Sequence, residues 1–140
     1  MIKFERLPDW ERRLARVVEH HLHLPGEWGA SDCGMTVGEA IEAVTGVNPL
    51  AQFLGKYTTE LGAARIMKRK GWTDMGDVLA SFFEPCGRLS AQRGDVGNVT
   101  QGGALTAGFM TDLGFAAKGP HGLVFHSQVD LVAAFKVGRP

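Results

Sequence analysis

The chain changes character at Pro85. Before it, apolar residues recur at helical spacing; after it, short apolar runs alternate with glycines. Trp10, Leu14, Val17, Val18 and His21 follow Pro8-Asp9 at intervals of three and four, and Pro25-Gly26 stops the run. A second helix, capped by Ser31 or Asp32, sets Cys33, Val37, Ala40, Ile41 and Val44 on one face and ends at Thr45-Gly46, with the glycine left-handed. A third is predicted from near Thr58-Thr59 to Gly71, and a fourth from Asp74 to Phe83. Beyond Pro85, "GDVGNVT", "ALTAGFMT", "GFAAK", "GLVFHS" and "LVAAFKV" read as five short strands joined by tight turns. Helices followed by an antiparallel sheet define an α+β fold. A chain of 140 residues with 44% hydrophobic content accommodates one core, so a single domain over residues 1–140 is expected.

Charge and composition exclude several function classes. Fifteen basic residues balance fifteen acidic ones, which leaves no net field to draw the chain to nucleic acid or anionic lipid. No apolar run approaches the length of a membrane span, and the charged N-terminus does not read as a signal peptide, so synthesis in a cytoplasm is expected. Cys33 and Cys86 are too few for a disulfide framework and lack metal-pair spacing; Cys86 reads as a buried small apolar residue. His20 and His23 could share a helix face, but no third ligand has the right spacing. The His20-His21-His23 group therefore reads as a solvated helix end, and neither a metal nor a cofactor is expected. Arg93-Gly94-Asp95 precedes an apolar strand and reads as a turn in which Asp95 accepts backbone hydrogen bonds.

Cys33 is the residue with chemical potential. A helix N-terminus carries about half a positive charge, which favours a thiolate, and its free amides can serve an oxyanion. With only that help, the thiol is expected to titrate somewhat below the free value.

The surrounding "WGASDCGMTVGEAI" resembles the nucleophile motif of the NlpC/p60 papain-like cysteine peptidases, with Trp28, Gly29, Asp32, Cys33 and Gly34 at the matching positions. "RGDV", Arg93 to Val96, is similar to the Gly-Asp turn that opens the first sheet strand of that superfamily. Together with "TGVNP", "YTTELGAARIMKRKG" and the terminal "AAFKV", these segments resemble a family of small phage tail proteins related to the peptidases. The resemblance implies a papain-like fold and a place in a virion tail, beside other tail tip or hub proteins. It also implies a departure: where the peptidases carry the base histidine, in a segment of the form His-Val-Gly-Ile, this chain has "TAGFM", with Thr106 at the histidine position. A threonine hydroxyl cannot serve as general base to a thiol near neutral pH. Cys33 is then a vestige, and the protein a docking or assembly module of the tail tip.

The competing expectation is an active cysteine peptidase or amidase acting on murein stem peptides, with Cys33 as nucleophile and His126, or His121, as base. Asp32 and Trp28 are the remaining candidate binding residues; Trp28 either walls the cleft or plugs the core below the second helix.

Overall fold

A computed structural model describes residues 2–140. Four helices precede the sheet: α1 (Trp10–His21), α2 (Cys33–Thr45), α3 (Glu60–Arg69) and α4 (Met75–Ala80). Three of them start on a side-chain cap. Asp32 accepts from the Met35 amide, Thr59 from Gly62 and Asp74 from Asp77, each satisfying an amide that the first turn leaves free. Gly46 closes α2 at φ 81°, a left-handed conformation in which its N–H donates to the Glu42 carbonyl. Among the described residues, no helix is long and apolar enough to cross a membrane.

Six strands form one antiparallel sheet: β1 (Pro85–Cys86), β2 (Val96–Gln101), β3 (Ala104–Thr111), β4 (Gly114–Gly119), β5 (Gly122–His126) and β6 (Ala133–Phe135). β2 to β5 run as a meander. β6 returns to the free side of β2, and β1 pairs outside it, giving the order β1-β6-β2-β3-β4-β5. The chain is thus α+β, as its pattern implies.

Three details differ from the sequence reading. α4 ends at Ala80 rather than Phe83, because its last turn tightens to three-residue hydrogen bonds, from the Ser81 amide to the Val78 carbonyl and from the Phe82 amide to the Leu79 carbonyl. β1 is an additional strand of two residues, too short to leave a pattern, and its proline is tolerated at the sheet edge. Cys86 on that strand is part-exposed rather than buried, because β1 has no strand beyond it.

Successive residues of a strand point to opposite faces, so the sheet presents two distinct surfaces. Val96, Ala107, Phe109, Ala116 and Phe135 face the helices and pack with Val37, Ala40, Ile41 and Val44 of α2. Burying each Val or Ile of that face is worth about 1.5–3 kcal/mol. Cys33 packs at the edge of the same cluster, so the cysteine-bearing face of α2 lies on the sheet. Val99, Met110, Phe115, Ala117 and Ala134 point the other way, into a second cluster with Ala91 and Leu131.

Candidate functional site

Where the start of α2 meets β3, a cavity of about 350 Å³ opens between the sheet and the α3–α4 segment. Its walls are mostly apolar: Met35, Leu50, Phe53, Ile66, Met67 and Trp72. Asp32, Cys33 and Tyr57 make one polar end, Glu60 and Asp74 also line the cavity, and Trp28, 43% exposed, borders it. Trp28 therefore walls the cavity rather than plugging the core.

Asp32 holds that polar end together. One carboxylate oxygen accepts from the Met35 amide at 3.0 Å; the other accepts from the Gly29 amide at 2.8 Å and the Tyr57 hydroxyl at 2.7 Å. Gly29 sits at φ 79° with the Tyr57 carbonyl where a Cβ would be, so only glycine permits this close approach. Burial and the Asp32 carboxylate keep the Tyr57 phenol protonated well beyond its ordinary range. Asp32→Ala is expected to lose about 2–3 kcal/mol of stability, read as a shift in the urea midpoint, because it removes a cap and strands the buried Gly29 amide and the half-buried Tyr57 hydroxyl.

The Cys33 thiol titrates above its ordinary value, opposite to the expectation from its helix position. Burial is the largest cause, and the neighbouring Asp32 charge adds to it. The Ala107, Gly34 and Cys33 amides favour the thiolate, but not enough to offset the loss of solvent.

The strand opposite supplies no base. In the β2–β3 register Thr106 lies across from Val99, on the face turned away from the helices. Thr106 borders the cavity, yet its hydroxyl donates to the Ala104 carbonyl, one pleat away from the thiol. The β3 residue whose backbone meets the sulfur is Ala107. The position facing the thiol is thus displaced by one residue from Thr106, and Leu105, Ala107 and Phe109 on that face have no titratable group.

His126 is also on the far face. It pairs with Phe115, and its Nε2 is 2.6 Å from Gln101 Oε1. The sheet lies between it and Cys33, which removes it as a substitute base. His121 sits in the turn between β4 and β5, and none of the five histidines lines the cavity. The solvated-end reading of the N-terminal histidines also needs correction: His21 is 1% exposed and bonded on both ring nitrogens, to Glu39 and Lys118.

Asn98 is a buried polar group that the sequence reading did not single out. It is 1% exposed and stands across from Ala107 on the helix-facing side, and a Cβ at Gly76 of α4 would come within 3.3 Å of its Nδ2. Its Oδ1 has no hydrogen-bond partner among the described residues. A lone asparagine in "GDVGNVT" was the available signal, but the sequence did not say which face it occupies.

What this arrangement can do is hold an apolar group against a protonated thiol. It has a nucleophile position and nearby amides, but no imidazole among its lining residues to act as base to the thiol.

No curated protein matches the chain, and no solved structure does. A family described as a domain of unknown function, DUF6950, matches residues 5–137, nearly the whole length. The chain therefore belongs to the DUF6950 family.

Proposed function

We propose that the protein is a docking module on a cysteine-peptidase-like scaffold that lacks its general base, and that it serves as a structural component of a phage tail tip or tail-like particle. The observation that carries the first part is the Cys33 cavity itself: apolar walls, a thiol biased toward its protonated form, and no imidazole on its lining. Losing a general acid–base group costs about 10²–10⁴ in rate. Such a cavity suits binding better than turnover, and its volume accepts an apolar side chain from a neighbouring subunit. The place in a tail rests on the resemblance of Asp32-Cys33, "TGVNP", "RGDV" and "AAFKV" to small phage tail proteins. Tail tip or hub proteins are the partners in this reading, and the virion tail is its location.

The test is genetic and biochemical together. Particles from a host expressing the chain should carry it at the tail tip, and Cys33→Ser should assemble as well as wild type. Purified protein should leave murein stem peptides intact. Cleavage of those peptides that disappears in Cys33→Ala would replace the docking module with a working hydrolase.

A further inference from the structure

We propose that His20, His21 and Glu39 form a binding site for a divalent transition metal of the zinc type, at the junction of α1 and α2. One ligand atom from each lies within 4.8 Å of the others. The sequence does not reveal this set, because the third ligand comes from α2, 18 residues beyond His21.

His21 is the fixed member. It is 1% exposed, with Nε2 2.5 Å from Glu39 Oε2 and Nδ1 2.8 Å from Lys118 Nζ. The lysine ammonium can only donate, so Nδ1 accepts, and the ring proton sits on Nε2, shared with the carboxylate. An ion entering between His21 and Glu39 takes the place of that proton, which moves to Nδ1, so the Lys118 ammonium, a donor only, must swing away from that nitrogen. Lys118 then keeps its other acceptors, the Leu24 carbonyl at 2.6 Å and the His21 carbonyl at 3.4 Å.

The other two ligands can adjust. Metal bonds of about 2.0–2.1 Å hold neighbouring ligand atoms roughly 3–3.5 Å apart, so Glu39 must back away and His20 must close in. Glu39 has a 44% exposed side chain and His20 is exposed, so neither is held by packing. His20 and His21 are the last two residues of α1, whose negative dipole end favours a cation. The Lys118 charge opposes it and limits affinity. Two imidazoles and one carboxylate suit zinc and its transition-metal neighbours rather than magnesium or calcium, and leave a fourth position open to water or a partner's side chain.

Calorimetric titration of the full chain with zinc chloride should give one ion per chain and a rise in Tm, neither reproduced by magnesium chloride. Losing even an outer-shell partner of a metal ligand costs about 10–100-fold in affinity, so His20→Ala with Glu39→Gln should cost at least about 100-fold. Both replaced residues are solvent-accessible, so the circular dichroism spectrum should not change. Lys118→Met should tighten binding, and Cys33→Ser with Cys86→Ser should leave it unchanged. Cobalt should give visible d–d bands without a thiolate charge-transfer band. The site is overturned if zinc produces neither heat nor a Tm shift at millimolar concentration, if His20→Ala with Glu39→Gln binds as tightly as wild type, or if a thiolate band reports binding through cysteine.

Discussion

Asp95→Ala is expected to lower the free energy of unfolding by about 3–5 kcal/mol, the range for removing one partner of a buried ion pair. Asp95 is 0% exposed, in the turn that leads into β2. Oδ1 accepts from Arg6 Nη2 at 3.1 Å, Arg139 Nε at 3.0 Å and the Val137 amide at 3.1 Å; Oδ2 accepts from the Gln92 amide at 2.8 Å and again from Arg139. One carboxylate thereby joins the N-terminal arm, the turn before β2 and the C-terminal segment. Arg6 also donates to the Val137 and Arg93 carbonyls, and its guanidinium lies 4.3 Å from the Trp10 ring centre. With the carboxylate gone, Arg6 and Arg139 face each other largely buried, with side chains 15% and 16% exposed. Chemical denaturation with an unchanged m-value is the measurement. A loss below about 1 kcal/mol, the scale of an exposed ion pair, would show that the cluster holds nothing together.

The sequence already placed Asp95 in a turn as an acceptor of backbone hydrogen bonds, and Gln92 and Val137 supply them. The two arginines were not legible, because they come from opposite ends of the chain. The same division runs through the fold. Local signals sufficed for α2: a four-residue spacing from Val37 to Ile41, a capping aspartate before Cys33 and a glycine after Thr45. The strand runs were equally plain as short apolar stretches set between glycines.

Facing was not. Whether Thr106 or Ala107 looks at Cys33 depends on how β3 is paired, and a shift of one residue exchanges the two faces. His126 drops out as a base for the same reason. The cavity walls were invisible for a different one. α3 has no fully buried residue, and its amphipathic pattern does not say that Ile66 and Met67 line a space shared with Trp28 and Cys33.

The central claim is that Cys33 is a binding-site thiol with no proton relay, and its alkylation by iodoacetamide over a range of pH tests this most directly. Cys86→Ser removes the competing thiol at the exposed edge strand. Only the thiolate reacts, and burial together with Asp32 raises the Cys33 value, so the thiolate fraction at neutral pH falls below that of free cysteine. A free thiol of about 8.5 is roughly 3% ionised at pH 7, whereas a His-paired cysteine of about 3–4 is almost wholly ionised there. Cys33 should therefore carry at least about 30-fold less thiolate than a catalytic cysteine at pH 7. The rate should climb about tenfold per pH unit through neutrality, with no plateau before the alkaline range. A rate that is fast and flat down to acidic pH would mean that a base sits beside Cys33 after all, and would contradict the account.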